Sequence, residues 1–479
     1  MKTRHRLAIL TSTAALGAGG AAAFACTVHG PTLPAEAPLA TPVELVFPAL
    51  DAPPARAQTS GVSRGPVVAS IVAATKGPAR YRLRAVGRGT APGGYNGDVW
   101  GHRGHGYLSS WGGPRCPSDG VRVFDLRNPR RPVHVATFAD DESDPAVAGS
   151  WTEKTIVQHV STRAFTGALA LTSFQRCRER GFQGFGLYDV TDPRAPQRFA
   201  LVPTDPRGSH EIWLQPRGNQ AFVWTAIMES ELRSSPDYNA RTHTASTPGE
   251  PDFRIYDVSV PTAPVEVGGW GAWRALGIQP RDGDRTNLVH SVRGNLAGTR
   301  AYLSYWDLGS VILDVSNPAA PRYLGRTRNE ENAHSTALAK GGRLLIETHE
   351  TRGGVPTFYD ISNPGAPKRR GSLVLPATSR PLPRPLPAFA NSVHDAKVRN
   401  SRAYFSWYSQ GVVVADIARP ARPRVIAQWL PPKTPDPGES MCRRTSCRLV
   451  WGVFPQRDYV LASDILSGLW VLKLERRLR

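Results

Sequence analysis

Four histidines recur in one local setting: Gly-Ser-His210-Glu, Leu-Val-His290-Ser, Asn-Ala-His334-Ser and Ser-Val-His394-Asp. Each opens a short strand-like run. Asn287 and Asn391 stand three residues before two of them, and Glu331 stands there before a third, with Asn332 beside it. Asp98 is read as the matching position in the first such unit. Asp307, His349 and Glu350, with Trp306 and Trp407, end the strand runs that follow. Brought to one mouth of a channel, these side chains form a funnel of imidazoles, acids and aromatics. Imidazole suits Zn, Cu, Fe and Ni, so the set is a ligand or metal candidate, with Cu or Zn as the ion. The alternative is structural: each His bonds to a backbone carbonyl or a neighbouring acid as a repeated latch. His102, His105 and His159 fit the pattern less regularly and are left out of the set.

The elements that position these residues come from a second repeat. Asp, three residues, Pro, two residues, Pro occurs six times, starting at Asp125, Asp189, Asp257, Asp314, Asp360 and Asp416. Each Asp ends an apolar run such as VRVF or VVVA. Its carboxylate can accept from backbone N–H groups just ahead and start a turn, while the first Pro stops the strand. The second Pro precedes another strand-like run, which Pro confines to an edge. Gly120, Gly184, Gly309 and Gly411 each stand five residues before the Asp.

Two further strands precede each turn, as in VHSVRGNLAGTRAYLSYWDLGSVILDV, so each unit has four. Units at this spacing form a propeller. A seventh unit over residues 448–474 lacks the Asp-Pro turn, has Lys473 at the Asp place and aligns through Gly468. It supplies three strands, and residues 79–88 resemble the missing outer one. The expected fold is all-β: a seven-bladed β-propeller of four-stranded blades over residues 79–474, its ring closed by an N-terminal strand.

The six turns, with RAYLSYWDLGSVILDVSNPAAP and RAYFSWYSQGVVVADIARPARP, resemble the LVIVD-repeat family of bacterial extracytoplasmic β-propellers. The resemblance spans about four fifths of the chain. It departs in blade 7 and in a long insertion in blade 3. It implies an architecture and a location outside the cytoplasm rather than a reaction.

The first residues fit that location. Lys2, Arg4 and Arg6 precede an apolar, small-residue run over 7–25, which reads as a signal peptide. Cys26 follows at the place where bacterial lipoproteins are acylated, although Phe24 departs from the usual lipobox; ordinary cleavage beside it is the other reading. Residues 26–78 are rich in Pro and Ala and read as a tether, and 475–479 as a tail. Cys116 and Cys177 follow the second strands of consecutive blades, and Cys442 and Cys447 share one loop; two disulfides are expected.

The net charge of +20 would attract nucleic acid, anionic lipid or acidic polysaccharide. An exported chain without a helical recognition element does not point to nucleic acid. There is no Gly-rich phosphate loop, no Gly-x-Ser-x-Gly elbow and no His-Glu-x-x-His helix. The sequence therefore reads as a monomeric extracytoplasmic protein, secreted, periplasmic or anchored to the envelope by a lipid. It would present a channel mouth to an unknown protein or small ligand. The alternative is an extracytoplasmic enzyme, such as an oxidase, with His-ligated copper.

Overall fold

The structure, a computed structural model, describes residues 81–90, 93–112, 119–176, 181–328, 332–378, 386–436, 441–442 and 445–476. Cys26, Cys116, Cys177 and Glu331, with the signal-peptide and tether readings over 1–78, lie outside these residues. The described chain forms a seven-bladed β-propeller of antiparallel sheets. Blade 4 shows the plan: Ser291–Gly294, Arg300–Ser304, Ser310–Asp314 and Arg322–Arg326, in sequence order from the axis outward. Blade 2 adds a short strand, Ser150–Trp151, which pairs with Thr166–Arg176.

All six motif aspartates make the same turn. Their Oδ1 atoms accept from the N–H two residues on, at Arg127, Thr191, Ser259, Ser316, Ser362 and Ala418, over 2.8–3.0 Å. In four turns an Asn or Asp three residues after the first repeats this bond: Asn128, Asp192, Asn317 and Asn363. The residue after each motif Asp, Leu126 to Ile417, is buried and anchors the turn in its blade. The outer strand then begins at the residue after the second Pro, as at Val133, Arg322 and Arg424.

The glycines before the turns have a steric reason. Gly120, Gly184, Gly309, Gly411 and Gly468 all have positive φ, between 61° and 150°. A Cβ there would lie 2.0–2.8 Å from the carbonyl oxygen that ends the outer strand. Only glycine meets both conditions.

The ring closes through the N-terminal strand. Tyr81–Gly89 pairs antiparallel with Gly468–Arg476, from Tyr81 opposite Arg476 to Gly89 opposite Leu469. This strand is a full fourth strand by an internal criterion. In every blade one outer-strand residue is skipped in pairing, and blade 7 skips Val86 as blade 4 skips Leu324 and blade 6 skips Ile426. After the bulge comes a small residue pressed on the next blade's turn. A Cβ on Gly87, Gly268 or Gly325 would lie 2.1–2.2 Å from the carbonyl oxygen of Pro129, Pro318 or Pro364. The bulge, the glycine and the neighbouring proline thus form one docking joint between blades.

The first-to-second-strand hairpins and the Asp-Pro turns share one face of the ring. Thr162, Arg217 and Lys340, in or beside the hairpins of blades 2, 3 and 5, donate to the turn carbonyls of Ser259, Ser316 and Ala418 in the following blades. The inner strands begin at the opposite face, where the histidines lie.

Candidate functional site

Strand register puts one residue of each blade at the same level around the axis. Ser291, Ser335, Asp395 and Gly452 lie opposite Ser304, Thr348, Ser406 and Ser463 on their second strands. The residues just before them are His290, His334, His394 and Trp451, and His210 precedes Glu211 in the same way. Glu153, before Lys154, holds this place in blade 2. The sequence pattern missed it because that blade opens with Glu rather than His.

The histidines link blade to blade. Nδ1 of His290 lies 3.0 Å from the carbonyl oxygen of His334, Nδ1 of His334 lies 2.8 Å from that of His394, and Nδ1 of His394 lies 2.7 Å from that of Trp451. A carbonyl only accepts, so these three Nδ1 atoms carry the ring proton and donate. His210 faces the other way: its Nδ1 sits 3.1 Å from Gln175 Oε1 and 3.1 Å from Glu153 Oε2.

The latch uses one nitrogen of each ring and leaves the second facing the axis. His210 Nε2 and His290 Nε2 are 2.8 Å apart. The ring centroids of His290 and His334 are 4.0 Å apart, and those of His334 and His394 4.6 Å. Glu350 joins them: Oε2 lies 3.1 Å from His334 Nε2, and Oε1 accepts from the Tyr408 hydroxyl. One ligand atom from each of His290, His334 and Glu350 fits within a mutual distance of 4.8 Å. His394 Nε2 is buried with no hydrogen-bond partner among the described residues. Trp306, Tyr408 and Trp451 pack on these rings, and all four His are at most 4% exposed. Burial pushes His290 and His394 well below the usual imidazole range. Burial acts on His334 in the same sense, but the Glu350 carboxylate outweighs it and the net shift is upward.

The other sequence candidates lie apart from this cluster. Asp307 accepts from the Thr286 N–H and braces a loop. His349 sits 3.1 Å from Glu347, whose other oxygen accepts from Ser310 and Thr327. Trp407 belongs to the core between blades 5 and 6, with its indole N–H on the Asn391 carbonyl. Asn287 and Asn391 hold the carbonyls of Gln279 and Ala377. Asp98 is one residue further along the channel than the His level. Its Oδ1 accepts from Val99 N–H as Asp395 Oδ1 does from Ala396 N–H, and a register shift between Asn96 and Val99 accounts for the offset.

That next level is a layer of alternating charge. Lys154 Nζ lies 2.5 Å from Glu211 and 3.5 Å from Asp98. Lys397, two residues further along the same strand, pairs with Asp395 from the cavity side. Burial opposes the Lys154 charge, but Glu211, Asp98 and Asp395 outweigh it and raise its pKa. Unpaired charges would be costly here, so each sign is matched.

Beyond this layer the channel widens towards the Asp-Pro turns. A cavity of about 1090 Å³ takes lining residues from all seven blades, among them Trp100, Gln158, Trp213, Arg293, Lys397 and Phe454. The Arg293 guanidinium lies 4.8 Å over the Trp213 ring. Arg300 and Lys340 add two more cationic groups, and the described lining residues include no Asp or Glu.

A family model for the LVIVD repeat matches residues 292–328, almost the whole of blade 4. No curated protein matches the chain. Among solved structures, Raptor of Chaetomium thermophilum overlaps 82% of this chain at a TM-score of 0.51 and 12% identity. The chain spans 29% of that protein's length, and the likeness shows the fold alone. The computationally designed Ika8 protein overlaps 84% of this chain and 99% of its own at a TM-score of 0.44 and 7% identity. With the repeat matched in one blade and its Asp-Pro turn present in five others, the chain is a seven-bladed β-propeller that carries an LVIVD repeat.

Proposed function

We propose that this propeller is an extracytoplasmic binding module that takes a small organic anion into the axial cavity on the Asp-Pro-turn side. The lining carries this reading: Arg293, Arg300 and Lys340 beside Lys397, whose charge Asp395 matches, the aromatic faces of Trp100, Trp213 and Phe454, and no carboxylate among the described lining residues. Such a surface suits an anionic head on a planar or apolar body. A net charge of +20 concentrates anions at the protein. The enclosure of the His rings by Trp306, Tyr408 and Trp451 favours binding at the open mouth over catalysis at the closed one.

Three features support a place outside the cytoplasm: the LVIVD repeat, the Cys442–Cys447 disulfide, and the signal-like sequence over 1–25. A lipid on Cys26 would tether the ring to a membrane through residues 26–78.

A thermal-shift panel of aromatic carboxylates, sulfonates and phosphate esters tests the binding reading. At least one class should raise Tm, and the rise should vanish in Arg293→Gln and Trp213→Leu. No shift across the panel at millimolar concentration, or a shift retained in both variants, counts against it.

A further inference from the structure

The hydrogen bonds of the His cluster leave an electrostatic imbalance. His290 Nδ1 donates to the His334 carbonyl, so a neutral ring presents a lone pair at Nε2. His210 Nδ1 faces two acceptors, Gln175 Oε1 and Glu153 Oε2, so its Nε2 also presents a lone pair when neutral. These two Nε2 atoms are 2.8 Å apart. The same conflict recurs one blade on. His334 Nδ1 donates to the His394 carbonyl, so its Nε2 can meet Glu350 Oε2 at 3.1 Å only through a shared cation, either a ring proton or a metal ion. Each of these two buried contacts needs a cation between its basic atoms, and one metal ion near His290 can serve both.

We propose that His290, His334 and Glu350 bind a divalent first-row transition metal, with His210 as a fourth donor beside His290. The second shell has the form that such ligands need. Metal-binding His commonly donates its other N–H to a carbonyl, as His290 and His334 do. The carboxylate is oriented in turn by the Tyr408 hydroxyl. Ligand atoms about 2.1 Å from a metal lie within about 4.2 Å of each other. The three atoms now lie within 4.8 Å, so binding draws them together by about half an ångström. The donors come from blades 3, 4 and 5, so the ion would staple three consecutive blades at the closed mouth. Aromatic rings enclose the site, which makes the metal structural. This goes beyond the anion-binding reading and uses none of the cavity residues.

The test uses the full chain, stripped with a chelator and titrated with Zn(II), with Co(II) as the spectroscopic probe. One metal per chain is expected, with Co(II) d–d bands of a nitrogen and oxygen site and a rise in Tm on loading. Glu350→Gln keeps the shape of the side chain and the Tyr408 contact, so it should fold with unchanged near-UV circular dichroism. It should bind at least tenfold more weakly, and His334→Gln should likewise lose affinity. His134→Gln, at an exposed position, should bind as the parent does. Absence of uptake by the folded parent protein would overturn the proposal and leave protons as the shared cations. Full-affinity uptake by folded Glu350→Gln, or loss of uptake in His134→Gln, would overturn it too.

Discussion

The Nδ1 atom of His394 in blade 6 lies 2.7 Å from the carbonyl oxygen of Trp451 in blade 7. This bond is the last of three equivalent links that run from blade 4 to blade 7. Each crosses a blade boundary, so its loss weakens the ring rather than one sheet. His394→Ala leaves the Trp451 carbonyl without that donor and opens a cavity beside the indole. The expected cost is roughly 2–4 kcal/mol. Urea unfolding should show a lower midpoint at unchanged m. A change under about 0.5 kcal/mol would mean that the latch does not hold the blades.

Gly87→Val tests the closing joint. A Cβ at this position meets the Pro129 carbonyl oxygen at 2.1 Å, so the outer strand of blade 7 must move off blade 1. The expected loss is about 1–3 kcal/mol, with faster proteolysis within residues 81–89. Deleting that strand should expose the edge of Gly468–Arg476 and cause aggregation. A truncated chain that stays monomeric at full stability would refute closure by this strand.

Glu229 holds the blade 3 insertion through Arg207, Arg233 and Arg281. Burial alone would raise its carboxyl, but the three guanidinium groups hold it down at about 2, from an ordinary 4.5. The folded pKa is depressed, so the stabilisation is present above about pH 4.5 and is lost as pH falls through about 2. Glu229→Gln should cost about 3–5 kcal/mol at neutral pH, because Arg207 stays buried beside a neutral partner. The variant should also lose part of the acid sensitivity of the parent, read from unfolding curves across that range.

The Cys442–Cys447 bridge closes a short loop. Replacing both cysteines with serine should cost about 2 kcal/mol by the chain-entropy account and leave the fold intact. Peptide mapping without reductant should recover the bridge in the parent protein.

The fold was legible because its signals are local. An Asp that caps its own turn, a Pro that ends a strand and a Gly beside a carbonyl each depend on a few neighbouring residues. The His set was partly legible, since four blades repeat one residue type. Asp98 was misplaced by one residue because a bulge in its strand is silent in the sequence. Glu153 was missed because its blade substitutes an acid for the imidazole. The open cavity was not legible at all. Trp100, Gln158, Trp213, Arg293, Lys397 and Phe454 follow no repeated residue type from blade to blade, and only strand register and ring closure bring them together.

The most direct test of the account is a crystal structure of the protein with the tightest anion from the panel. The predicted result is ligand density on the ring axis between Trp213, Arg293 and Lys397, with the His rings still latched to the carbonyls of His334, His394 and Trp451. Ligand density against His290 and His334 at the opposite mouth, with the cavity left to solvent, would contradict it.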